Sequence, residues 1–442
     1  MAALGLIREQ AAAFFGEISR IRGSDSRFEI NEDEANRLRL RLTPQRRNLH
    51  EGRSRQSGTQ SYRGPGLALA AIEEVVRRAM HLIDAAELKD EPQRRFTNAL
   101  TAQSQIERML DLLGFVLRST SPRLGFEVCV PLEKLAQKLL GSEKLLVLSS
   151  EWQLYSPFIK SRSYGRLDPS LRDFVFIGFP ATESANPLLL PLAGHEFGHP
   201  LWQMQAEREG SIPRTIEERV TAKVLELALN NQNPSSGESA RVRLQECFCD
   251  ALGVRIFGPA FCYAAAYLLG NRVEHGVPWT YLPLPRRVEF LEKSIKRLGT
   301  PSRPGWSRLF QDGDPRFNFP ERGAESQRLL SAKIDDIVFA QADEIIDFAG
   351  SHCSECNLPV VSDAEIRKVK VNFERMAPAP HPASLAAILN AAWDCRTEVW
   401  PPHKEASKVE TDEERKSLSV LREVVLKTTQ MLEYNELTAS IC

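Results

Sequence analysis

The chain has 442 residues, 42% of them apolar, and a formal net charge of −1. That length suits about three domains or one large core with additions. The charge balance excludes a global field that would draw the protein to nucleic acid or to an anionic membrane. Eight cysteines are too few for a disulfide scaffold, no apolar run approaches a membrane span, and no leader pattern opens the chain. The expectation is a reduced, cytoplasmic protein with no membrane partner.

Residues 1–22 read as a short amphipathic helix. Residues 37–63 carry eight arginines against one acid, Glu51. Such a stretch is either a basic arm for nucleic acid or a solvated linker whose arginines keep an edge strand soluble. Tyr62 is its one aromatic residue able to stack on a base, which favours the linker. Over residues 66–119, Leu67, Ile72, Val75, Val76, Met80 and Ile83 mark one helix. Ile106, Met109, Leu110 and Leu113 mark a second, with Pro92 between them. Leu145–Leu148 is a short strand. Asp173–Phe179, ended by Pro180, is a stronger one. As a sheet edge it could take up a substrate chain as an extra strand; the other reading is an ordinary buried strand.

The next segment contains His195-Glu196-Phe197-Gly198-His199. On a helix, positions i and i+4 share a face, so both imidazoles can point at one metal ion. Glu196 beside them can reach a water at that ion and act as a general base. The uncharged flanks Pro187–Gly194 and Leu201-Trp202 indicate a buried helix. Pro200 removes the N–H that would bond the Glu196 carbonyl, so the helix is expected to kink or end there. A helix over 214–232 follows. Then comes Glu246-Cys247-Phe248-Cys249-Asp250, a second i, i+4 carboxylate pair, with Val242, Cys249, Leu252 and Ile256 at helical spacing. Glu246 can supply the third ligand that catalytic zinc takes, and Asp250 can accept the outer N–H of a ligand histidine. Cys249, as a fourth protein ligand, would instead make a closed, structural site. Gly198 and Gly253 inside these helices suggest that the two approach closely.

HEFGH followed by ECFCD resembles the gluzincin clan of zinc metallopeptidases, over about residues 170–260. The resemblance implies zinc held by His195, His199 and Glu246, with Glu196 as general base and Asp250 behind the ligands. It also implies a small sheet whose edge strand precedes the active-site helix, and a peptide or protein substrate. The expected fold is α+β and mostly helical, a zincin-like core with N- and C-terminal helical additions. Its regions are 1–119, 120–300 and 301–442. The alternatives are a non-catalytic zinc-stabilised interaction protein and a nucleic-acid-associated regulator.

Beyond ECFCD, Gly258-Pro259 should break the chain before an apolar helix over 260–269. Trp279–Arg287 reads as a rigid, extended loop. Tyr281, and after it His275, are the candidate donors for steadying an oxyanion opposite the zinc. A loop-rich stretch over 300–325 precedes one helix over 325–348. Cys353 and Cys356 form a single C-x-x-C, short of the four ligands of a structural zinc site, so a second ion is not expected. The remainder is helical, with Thr411 and Glu414 as a capping box before the last helix.

Overall fold

A computed structural model describes residues 15, 16, 20, 64–89, 92–119, 126–151, 158, 159, 171–183, 186–229, 236–269, 282–303, 305–307, 325–399 and 412–439. The Arg-rich segment 37–63, the candidates His275 and Tyr281, and Thr411 lie outside them. The described residues are mostly helical with one small sheet, and the chain divides into two compact units. The first unit takes Met1–Gln137, Gly141–Leu154 and Phe158–Ala185; the second takes Asn186–Cys442 with two short stretches before it.

In the first unit, α1 (Gly64–Lys89) and α2 (Pro92–Arg118) pack against each other. Pro92 opens α2, where its missing N–H costs nothing. α3 (Phe126–Leu140) leads to β1 (Leu145–Glu151), followed by β2 (Phe158–Ile159) and β3 (Phe174–Pro180). The hairpin buries Leu69, Ile72, Val76, Ile106 and Phe115 against Val147, Phe174 and Phe176 of the sheet. Phe115 meets Phe176 edge to face at 5.9 Å. The strand order is β1-β3-β2, with β3 parallel to β1 and antiparallel to β2. β3 is therefore the central strand of this sheet, which overturns the edge strand that the resemblance implied and agrees with the reading of an ordinary buried strand. Its seven residues are all buried, so neither face alternates toward water.

The second unit is built around a single helix. A 3₁₀ turn at Pro187–Leu189 leads into α4 (Leu192–Ala206), α5 (Ile212–Leu229), α6 (Ser236–Phe257) and α7 (Pro259–Leu269). α8 (Leu284–Arg297), α9 (Glu325–Phe339), α10 (Ala342–Glu355), α11 (Asp363–Phe373), α12 (Leu385–Val399) and α13 (Asp412–Ala439) follow. α4, α5, α7, α8, α9, α10 and α12 all pack against α6. α6 has no single apolar stripe, as expected of a helix covered on every side. Its polar side chains are met within the fold. Arg243 donates to Asp335 of α9 at 2.5 Å, and Arg255 to the Leu358 carbonyl at 2.7 Å.

Gly258 ends α6 with φ +57°, a conformation that suits glycine, and Pro259 starts α7. Asn390 of α12 fastens this corner. Its amide donates to the Phe257 carbonyl at 2.7 Å, and its oxygen accepts from the Ala260 N–H at 3.0 Å. Two expected elements differ. Of the extended loop expected over Trp279–Arg287, residues 279–281 lie outside the described residues, and Leu284–Arg287 is the first turn of α8, because Pro285 falls where proline is compatible with helix. The single helix over 325–348 is two helices, broken at Ala340-Gln341 and continuing to Glu355.

Candidate metal centre

α4 and α6 bring the two sequence motifs together. His195 and His199 lie one helical turn apart on α4, with ring centroids 5.1 Å apart. Both are buried, as are Glu196 of the same turn and Glu246 and Asp250 of α6. Nε2 of His195 lies 3.0 Å from Oε2 of Glu246, and Nε2 of His199 lies 3.9 Å from Oε1 of the same carboxylate. Nδ1 of His195 meets Oδ1 of Asp250 at 2.9 Å. His195 is thus held on one side by Asp250 and turns its other nitrogen toward Glu246 and His199.

Cys249 of α6, and not Glu246, is the third member of a group with the two histidines. Its Sγ and one nitrogen of each histidine all lie within 4.8 Å of one another. The three side chains are buried and could hold a metal ion. Cys353 and Cys356 belong to no such group among the described residues. The approach is possible because residue 198 is glycine. A Cβ there would fall 2.8 Å from both Cα and Sγ of Cys249. Gly194 faces α6 in the same way, where a Cβ would lie 3.2 Å from Cα of Gly253. Gly253 itself makes room for Phe261 of α7, whose ring stacks on His195 at 6.3 Å and 11°.

The electrostatics follow from burial and pairing. Burial pushes the His195 imidazole down, but its hydrogen bond to Asp250, the close Glu246 carboxylate and the charges of both outweigh it and hold it up at about 10. Burial likewise opposes ionisation of Asp250, yet the Arg287 guanidinium and the bond to His195 hold its carboxyl down at about 2. Glu246 is also held below its ordinary value: burial raises it, and the charges of His199 and His195 overcome that. Burial pushes the neighbouring Cys247 and Cys262 thiols well up, which suits packing rather than reactivity.

One further observation bears on a metal. Oε2 of Glu246 is buried and has no hydrogen-bond partner, although His195 is 3.0 Å away. The contact is close without being aligned as a hydrogen bond.

The helix does not end at Pro200. α4 runs on to Ala206, so of the expected kink or end at Pro200 the end is excluded, and His199 lies well inside the helix. Packing beyond the proline holds it: Leu201 and Trp202 are buried, Trp202 lies 5.2 Å from Phe248, and its indole N–H donates to Glu217 at 2.6 Å. Gln245 donates to the His199 carbonyl at 3.0 Å, tying the backbone at that histidine to α6. Arg287 is the residue that motif reading missed. It lies in the first turn of α8 and grips Asp250 through two nitrogens at 2.7 and 2.8 Å. Its position in a Pro-rich run offered no sign of that pairing.

No protein-family model, curated protein or solved structure matches the chain. No described helix is long and apolar enough to cross a membrane.

Proposed function

We propose that this centre holds zinc and that the protein is a zinc-dependent peptidase of the gluzincin kind, acting in the cytoplasm on a peptide or protein substrate. The observation that carries the reading is the convergence of His195, His199 and Glu246, with Asp250 behind His195 and Glu196 in the same turn. Nitrogen, carboxylate and thiol donors suit zinc, whereas magnesium and calcium prefer all-oxygen shells. Zinc bound there would supply a Lewis acid that polarises a carbonyl and acidifies water. In this reading His195, His199 and Glu246 hold the ion. Asp250 accepts the Nδ1 proton of His195, so that Nε2 is the nitrogen left to face the metal. Glu196 takes a proton from the attacking water and gives it to the leaving amine. Burial of the carboxylates keeps these charges effective. The zincin-like arrangement of the core belongs to the same proposal.

Digestion of a peptide library, read by mass spectrometry, tests this. Glu196→Gln should keep one zinc per chain and cleave nothing. Cleavage at the wild-type rate by that variant would refute the mechanism.

Cys249 favours a second reading. Its thiolate lies in one group with the two histidines; with Glu246 beside them as a fourth ligand, the shell would close, as in structural zinc sites, and the ion would then lock α4 to α6 without catalysis. Cys249→Ala separates the two. As an enzyme the variant keeps its zinc and its cleavage; as a closed site it loses zinc affinity, and the cobalt-substituted wild type shows a thiolate charge-transfer band. The nucleic-acid reading rests on segment 37–63, which lies outside the described residues.

A further inference from the structure

Two adjacent arginines open α8, and they do different things. Arg286 is exposed and pairs with Glu289 at 3.1 Å and Asp336 at 2.8 Å on the surface. Arg287 is turned inward, its side chain 12% exposed, against an Asp250 side chain that is 3% exposed. Its Nε donates to Oδ2 of Asp250 at 2.7 Å and one of its terminal nitrogens to Oδ1 at 2.8 Å. Oδ1 also meets Nδ1 of His195 at 2.9 Å. One carboxylate thus serves both the imidazole and the guanidinium.

The geometry has a consequence for His195. The terminal torsion of an aspartate is soft, so a carboxylate held by one imidazole could swing about it. Two parallel bonds from a planar guanidinium fix the carboxylate plane. With Asp250 fixed, the Nδ1 hydrogen bond fixes the edge of the imidazole, and Phe261 stacked on its face limits the tilt. We propose that Arg287 is a positioning residue of the metal centre: its fork locks Asp250, and Asp250 in turn holds His195 with Nε2 facing the ion. A lysine in its place would keep the charge but not the fork. The inference rests on the zinc reading above, and it adds a third layer behind His195, supplied by a helix that carries no ligand.

The rival role for Arg287 is a brace between α8 and α6 with no bearing on the metal. Zinc affinity of the intact chain, measured by competition with a chelating dye, distinguishes them, with thermal melts of the zinc-free proteins alongside. Arg287→Met should weaken zinc binding about 10- to 100-fold, the usual effect of losing an outer partner. Arg287→Lys should recover only part of that loss. Arg286→Met, the surface control, should bind zinc as the wild type does. Wild-type affinity in Arg287→Met, with only the melting temperature lowered, makes Arg287 a brace and overturns the proposal. Where Arg287→Met does not fold, Arg287→Lys decides: wild-type affinity there also overturns it. His195→Ala and Glu246→Ala in the same series keep the two levels apart. If they bind zinc as the wild type does, the zinc site itself is wrong and the Arg287 proposal falls with it. If they lose zinc while Arg287→Met keeps it, only the Arg287 proposal falls.

Discussion

Gly198→Ala adds one methyl group where α4 meets α6. That Cβ would lie 2.8 Å from Cα of Cys249, and because the neighbour is backbone it cannot swing aside. Carbon atoms pack comfortably at about 3.5 Å or more, so the helices must part by roughly 0.7 Å at this level. His195 and His199 ride on one helix and Glu246 and Cys249 on the other, while metal–ligand distances tolerate about 0.2 Å. The displacement exceeds the tolerance about threefold, and zinc affinity should fall at least about tenfold. Stability should change much less. Overpacking costs about 1–3 kcal/mol, and alanine recovers about 1 kcal/mol of helix propensity over glycine. Urea unfolding of the zinc-free variant should therefore show a loss of about 0–2 kcal/mol, beside a large loss in a chelator-competition titration. Adding Cys249→Ala should not restore binding, because the new methyl group still meets the backbone of residue 249. Wild-type zinc affinity in Gly198→Ala would show that the helices are not so closely seated, and the reasoning would fail.

Two further outcomes concern the frame around the centre. Asn390→Ala removes the donor to Phe257 and the acceptor for Ala260 at the α6–α7 corner, and should cost about 2–4 kcal/mol in urea unfolding; a loss under about 0.5 kcal/mol would mean that the corner holds without it. Burial pushes the Asp335 carboxyl up to about 6 from 3.8, more than the Arg243 beside it pulls it down, so the folded state binds the proton more tightly than the unfolded state. Stability from this group is thus full below about pH 4 and is lost as pH rises through about 6. Asp335→Asn cannot titrate, and its stability relative to the wild type should rise over that range; a difference that does not change with pH would refute this.

What could be read from the sequence was local. HEFGH and ECFCD each lie within two helical turns, and i, i+4 spacing specifies their faces without any knowledge of the fold. Gly198, costly in a helix, correctly signalled a close neighbour. Features that depend on distant chain were not legible. Arg287 meets Asp250 across 37 positions, and nothing in Leu-Pro-Arg-Arg announces the partner. The break at Ala340-Gln341 lacks proline and glycine, so apolar spacing ran across it unmarked. The central place of β3 was present in its unbroken apolar run, Phe174–Phe179, which reads as a strand buried on both faces. Pro200 could not tell a kink from an end, because a proline rule weighs one lost hydrogen bond and cannot see Trp202 and Gln245 holding the helix beyond it.

The four charged groups linked through His195 balance one another. With His195 protonated, it and Arg287 set two positive charges against the two negative charges of Glu246 and Asp250. These four groups together carry no net charge. A small zinc finger needs its metal to fold, because bare ligands there have nothing else to hold them. Here, with His195 protonated, a proton stands where the counter-ion would. On the zinc reading, an ion entering this site would displace that proton, so zinc uptake should release protons to the buffer.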